Sequence, residues 1–284
     1  MIDDRIFLNI NLEITLAMSQ EANKFKKDNP TLNYKKMSLD QLNKLPHYVG
    51  MINFKISHTS FFILNIFNDD SSAVKFFWKE SHDLKSLDLW YEISKDEGTY
   101  IDVGAHTGLY TITSVKANMR NRVIPIEPFY LNMSRLINNL RLNNIKKNVD
   151  IKIAAASNFD GKANFKIDTD QTYLSKGGKI DEQGETINTL KLDSLNLEKI
   201  NKPIKGIKID TEGEDLNVLI GSEGIIKNHK PKIIIEVREE NKILIQKFFD
   251  EHNYKLFDVM NLDNQINLKN INIKNVSNIY AEPI

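Results

Sequence analysis

Apolar positions follow one spacing in the first third of the chain and another in the rest. In residues 1–48 they are helical: Ile6, Ile10, Ile14 and Met18 return every four positions and draw a single stripe, which predicts a peripheral helix. Asn29-Pro30 and Leu45-Pro46 interrupt that pattern, because the residue before a proline is pushed out of the helical region. From Val49 to Trp78 β-branched and aromatic residues dominate, broken at Asn68-Asp69-Asp70-Ser71, and this predicts strands around a turn. Residues 1–78 read as an N-terminal helical and strand extension. Residues 79–97, with Leu84, Leu87, Trp90 and Tyr91, read as a helix that opens a larger domain, 79–284.

From residue 98 short apolar runs alternate with amphipathic stretches. The runs at 99–103, 122–126, 150–156, 206–210, 231–237, 254–259 and 278–282 predict strands. Between them lie predicted helices over Leu109–Asn118, around Met133, Leu136, Ile137 and Leu140, through Leu216, Leu219, Ile220 and Ile226, and over Ile243–Phe249. Two accessory strands, 163–168 and 187–193, flank a Gly-rich loop, "SKGGKIDEQGE". This alternation predicts an α/β fold, a mostly parallel sheet with helices on both faces. The last two strands are joined by residues 260–277 with no helical pattern, so they are expected to pair antiparallel, as in methyltransferase sheets rather than dehydrogenase sheets.

Composition narrows the chemistry. Lys and Arg total 38 and Asp and Glu 38, so no global positive field argues for a nucleic-acid partner. There is no cysteine, which removes disulfides, thiolate metal sites and thiol nucleophiles together. The longest apolar runs, such as "FFILNIF", fall short of the roughly 20 residues that cross a bilayer. The opening "MIDDRIF" carries acids where a secretion signal carries positive charge, so a cytoplasmic protein is expected.

Three stretches carry candidate chemistry. In "YIDVGAHTGLYT" a strand runs into Gly104 and Gly108, with Ala105, His106 and Thr107 between them and Asp102 just ahead. A phosphate-binding P-loop needs Gly-Lys-Ser/Thr at its end, and Leu109 stands there instead. A dinucleotide loop needs a middle glycine for close approach to the pyrophosphate, and His106 occupies that position. S-adenosylmethionine (SAM) has no phosphate and fits such a loop, with Asp102 placed to receive its ammonium group. In "RVIPIEP" Glu127 ends the next strand, where a carboxylate can accept the hydroxyls of a ribose. Asp102 and Glu127 could each be a helix-capping acid; the order and spacing of the pair favour ligands. Ala154 to Ser157, Ala155 among them, would border the adenine. In "KGIKIDTEGEDLNVLIGSEGIIKNHKPKIIIEV" Asp210 and Glu212 follow one strand end and Glu236 sits near another, so three carboxylates could meet beyond the sheet. Glu214 and Asp215 read more simply as acids at a helix N-terminus.

Together these blocks resemble the FkbM-type family of class I SAM-dependent methyltransferases, over roughly residues 98–282. The resemblance implies a Rossmann-like seven-stranded fold, SAM as methyl donor and, usually, O-methylation of a sugar or other small metabolite. It places Asp102, Gly104, His106 and Gly108 in the cofactor loop, Glu127 on the ribose, and Asp210 and Glu212 facing the pocket. The stretch "EVREEN" lacks the histidine often found there in the family, and residues 1–78 have no counterpart in the resemblance.

A hydroxyl nucleophile must lose its proton, and an Asp with reference pKa of about 3.9 needs burial or like charges to become a useful base. Asp210 is the first candidate base, with Glu212 and Glu236 as the neighbours that raise it. A divalent ion held by the three acids is the second hypothesis. His106 reads as a loop residue whose backbone matters more than its ring, and its service as proton acceptor is the minority reading; His58 and His229 read as structural. The expected partner is a small hydroxylated acceptor such as a carbohydrate, with a homodimer contact through residues 1–78 or the Gly-rich loop also open. The rival functions are a nicotinamide-dependent oxidoreductase and a catalytically inactive binding module.

Overall fold

The structure, a computed structural model, describes residues 18–66, 69–81, 83–167, 178–196, 202–273 and 277–284. The chain folds as two compact units. The first comprises Met1–Lys55, Ser60–Asp83 and Thr169–Lys176. Its described elements are helix α1 over residues 18–28, α2 (Leu39–Leu42), the antiparallel hairpin β1 (Gly50–Lys55) and β2 (Ser60–Asn65), and α3 (Ser71–Lys79). Ile6, Ile10 and Ile14 of the expected stripe lie outside the described residues, and Met18 lies in α1.

The stretch expected to be strands up to Trp78 ends instead in a helix. Asp70 makes the difference: its carboxylate accepts the N–H groups of Ser72 and Ala73 at 2.9 and 3.0 Å, a side-chain cap for the first turn of α3. The acid that reads as a turn signal is a helix start, and Val74, Phe77 and Trp78 then fall on one face. Trp78 closes the small core with Ala22, Tyr34, Leu42 and Val74, its ring 5.3 Å from that of Tyr34.

The second unit, Ile56–Thr59, Leu84–Asp168 and Gly177–Ile284, holds the α/β fold. Its elements in chain order are α4 (Leu84–Ile93), β3 (Thr99–Val103), α5 (Leu109–Ala117), β4 (Arg122–Ile126), α6 (Tyr130–Leu142), β5 (Ala155–Ala156), β6 (Gly161–Ile167), β7 (Gly178–Ile180) and β8 (Glu185–Leu190). They continue with β9 (Ile204–Ile209), α7 (Asp215–Ile220), α8 (Glu223–His229), β10 (Lys232–Val237), α9 (Lys242–Glu251), β11 (Tyr254–Asp258), β12 (Asn261–Ile266) and β13 (Ser277–Pro283). Seven strands form one mixed sheet in the order β12-β11-β13-β10-β9-β3-β4. β4, β3, β9 and β10 run parallel, and β13 enters antiparallel between β10 and β11. Ile101, Val103, Ile207, Ile209, Ile233 and Ile235 are fully buried, as expected of parallel strands covered on both faces.

Three details depart from the sequence expectation. The third strand, expected over 150–156, lies parallel along β4 only as isolated bridges, Val123 with Val149 and Ile126 with Lys152. Pro125, between them, has no N–H to give, so the ladder is interrupted there, and Ala155 and Ala156 pair instead with β8 in a four-stranded accessory sheet. The link between the last two strands contains β12, which folds back on β11. The single helix expected over 216–226 is two, broken at Gly221-Ser222.

Candidate active site

The register of the sheet brings the predicted residues to one place. Asp102 on β3 lies beside Lys208 on β9, which lies beside Ile234 on β10. Two residues further along, Asp210 donates its N–H to the Val103 carbonyl, and Glu236 on β10 lies beside Asn278 on β13. Side chains two apart on a strand share a face, so Asp102, Lys208, Asp210, Glu236 and Asn278 stand on one side of the sheet near the carboxyl ends of its parallel strands. In open α/β sheets that edge is where ligands bind.

The loop from Gly104 to Gly108 is built by backbone geometry. Gly104 has φ +74°, and a Cβ there would stand 1.8 Å from the Asp210 carbonyl oxygen. Both Gly104 and Ala105 donate their N–H to the Ile126 carbonyl, at 2.9 and 3.1 Å. His106 adopts φ +48°, which turns its N–H onto Glu127 Oε2 at 2.9 Å. Glu127, 5% exposed, also accepts Phe129 N–H and Asn132 Nδ2 at 3.1 and 3.2 Å. A carboxylate offers about four lone-pair sites, so three protein donors leave roughly one for a ligand hydroxyl. Burial pushes the Glu127 carboxyl upward, and the His106 ring opposes this.

Asp102 is 1% exposed and is committed to α5: its Oδ2 accepts the Thr111 hydroxyl at 2.6 Å. That bond ties it to the first turn of α5, whose N-cap position is Gly108. Burial pushes its carboxyl up to about 6, with the Thr111 hydrogen bonds and Lys208 opposing. Thr107 Oγ1 is buried in the same loop with no hydrogen-bond partner. An orphaned hydroxyl, a turned backbone and a nearly saturated carboxylate fit a polar nucleoside better than an empty surface. Asp102, the residues Gly104 to Gly108 and Glu127 thus lie at the end of β3, in the loop that follows it and just past β4, while Ala155 is on β5 in the accessory sheet.

On the other side of Asp210 the charges alternate. Lys208 Nζ contacts Asp210 Oδ2 at 3.2 Å, and the Asp210 side chain is 38% exposed. Arg238 Nη2 donates to Glu236 Oε2 at 3.1 Å and also to Glu212, whose backbone sits at φ +53°. Asp215 is buried and turned inward, accepting Thr211 N–H, the Thr211 hydroxyl and Gly213 N–H. Burial, together with the like charges of Asp210, Glu212 and Asp215, pushes the Glu236 carboxyl up to about 8. Among the described residues no group of three or more His, Cys, Asp or Glu could hold a metal ion, and Lys208 and Arg238 already stand against the acids. Sequence reasoning gave neither cation a role in the site. Lys208 was visible as a cation between the isoleucines of "GIKID", and Arg238 had no signal beyond its place after a strand.

These environments set two measurable expectations. Replacing Glu127 with Ala removes the carboxylate that accepts from His106, Phe129 and Asn132 and fixes the loop, and S-adenosylhomocysteine (SAH) affinity should fall at least about tenfold, read by isothermal titration. Glu236, with its folded pKa raised above the unfolded value, stabilises the fold fully at low pH, and that contribution is lost as pH rises from about 4.5 to about 8. Glu236→Gln removes the titration, so the variant should gain on the wild type in urea midpoint across that window and stay level with it below pH 4; equal slopes would refute the raised pKa.

Among the described residues no helix is long and apolar enough to cross a membrane. No curated protein matches the sequence. Among solved structures, the chain resembles the methyltransferase FkbM of Methylobacillus flagellatus KT, with 17% identity, TM-score 0.46, and coverage of 74% of this chain and 53% of that one. It thus spans about half the length of that protein. An O-methyltransferase from Bacillus cereus in complex with SAH shares 18% identity, TM-score 0.42 and coverage of 70% and 80%. A precorrin-6y C5,15-methyltransferase from Geobacter metallireducens GS-15 shares 11%, TM-score 0.42 and coverage of 71% and 89%. The family model of the methyltransferase FkbM domain matches residues 102–276, from the acid before the glycine loop to the threshold of the last strand, and the chain belongs to that family of SAM-dependent methyltransferases.

Proposed function

We propose that this methyltransferase is an O-methyltransferase acting on a hydroxyl of a sugar or other small metabolite, with Asp210 as the general base. The observation that supports it best is the half-exposed Asp210 carboxylate beside the glycine loop, at the carboxyl ends of β3 and β9. SAM supplies an electrophilic methyl group, so what remains for the protein is positioning and proton removal. In this reading the Gly104–Gly108 loop and Glu127 bind and orient the nucleoside, Asp102 at the end of β3 receives the ammonium end, and Ala155 borders the adenine. Asp210 takes the acceptor's proton, and Glu212 and Glu236 hold the charge around it. A divalent ion is the less favoured alternative, since Lys208 and Arg238 already pair with Asp210, Glu212 and Glu236.

The division into an extension, 1–78, and a methyltransferase domain, 79–284, belongs to the same proposal, as do a cytoplasmic setting and a partner list without nucleic acid. Isothermal titration with SAH and with NADH tests the cofactor. Tight binding of SAH alone is expected; binding of NADH alone would favour the oxidoreductase, and binding of neither would overturn both. SAM consumption over a panel of glycosides, phenols, amines and RNA then tests the acceptor. Turnover with the amine or RNA arm only would remove O-methylation.

A further inference from the structure

We propose that Lys208 is a positioning residue for the candidate base: it holds the Asp210 carboxylate in place and in its charged form, from a fully buried seat between β9, β13 and α5. Lys208 is 1% exposed, on a strand whose other lysine, Lys205, is only part-buried and whose remaining residues are isoleucine and glycine. Its Nζ is anchored three ways at 3.2 Å, to the Ile209 carbonyl, Asp210 Oδ2 and Asn278 Oδ1, and it lies 5.1 Å over the Tyr110 ring. A buried ammonium carries a large desolvation cost that an apolar side chain of the same length would avoid. What the lysine supplies instead is a fixed positive charge touching Asp210 from below, while the other side of that carboxylate stays open.

The groups around it make that charge decisive. Facing Lys208 and Asp210 are Asp102 from β3, Glu236 from β10, Asp215 from the start of α7 and Tyr110 from α5, while Glu212 is engaged by Arg238, which also holds Glu236. Three acids besides Asp210 thus crowd one lysine. Without Lys208 their repulsion would favour a protonated, mobile Asp210. Asn278 adds a tether across the sheet, because β13 carries it beside Glu236.

This rests on the reading of Asp210 as proton acceptor, and its test does not require an acceptor to be known. Carboxyl ¹³C titration by NMR follows Asp210, its signal assigned by its loss in Asp210→Asn. In Lys208→Met the Asp210 midpoint should rise by about one pH unit or more, a tenfold gain in proton affinity, and Lys208→Arg should return it most of the way. Should Lys208→Met fail to fold, Asn278→Leu loosens the same lysine and should move the midpoint in the same direction by less. A midpoint unchanged in every folded variant overturns the inference. SAH titration on the same samples keeps the two questions apart: a wild type that does not bind SAH refutes the methyl-transfer reading, while the Asp210 midpoint still decides the role of Lys208.

Discussion

Asp210→Asn should lose turnover by about 10²–10⁴-fold, the usual contribution of a general base, while SAH affinity stays within a few-fold of wild type. The variant keeps the shape of the side chain, and its amide oxygen can still accept from Lys208, so the pocket should survive. What disappears is the ability to take a proton. Single-turnover measurement of SAH release, with the acceptor identified from the panel, separates this from a binding defect: kcat should collapse with little change in KM. Full activity in Asp210→Asn would show that the proton goes elsewhere, and Glu236, already pushed to about 8, would be the next residue to replace.

The second large effect is expected at Gly104. Ala there combines two penalties: a left-handed backbone that costs roughly 1–2 kcal/mol for a residue with a Cβ, and a contact 1.8 Å from the Asp210 carbonyl oxygen, one residue past β9. The obstacle is backbone, so it cannot swing aside as a side chain would. A loss of about 2–4 kcal/mol in urea unfolding is expected, with SAH binding weakened beyond what the stability loss explains. Gly213→Ala is the control, since Gly213 has φ +117° but nothing within 4 Å of the added methyl. Its cost should be the backbone penalty alone, and equal losses at both positions would show that the close approach of β3 to β9 is unimportant.

Much of the α/β unit is legible in the sequence because parallel strands buried on both faces write themselves as isoleucine runs. "TYIDV", "GIKID" and "PKIIIEV" each stand where the sheet has a strand. The glycine loop and Glu127 were legible for a related reason, since each depends on main-chain geometry next to such a strand. The elements that were misread depend on one distant or missing atom. Pro125 removes a single N–H and with it the ladder of the expected third strand, while Asp70 caps a stretch whose aromatic content mimics a strand. The ion network was hidden for another reason: the sequence shows Asp210, Glu212 and Glu236 as three acids, and only the sheet register shows that Lys208 and Arg238 stand against them.

The late strand β13 also constrains the order in which the chain can be assembled. It lies between β10 and β11, so the hairpin of β11 and β12 has no hydrogen-bonded partner in the sheet until residues 277–283 arrive. As the protein leaves the ribosome, β3, β4, β9 and β10 can already align, while the hairpin waits with its inner edge bare. Asn278 arrives with that same strand, so Lys208 gains its third anchor only in the last step of sheet closure. A nascent chain therefore completes its sheet and its charge network together.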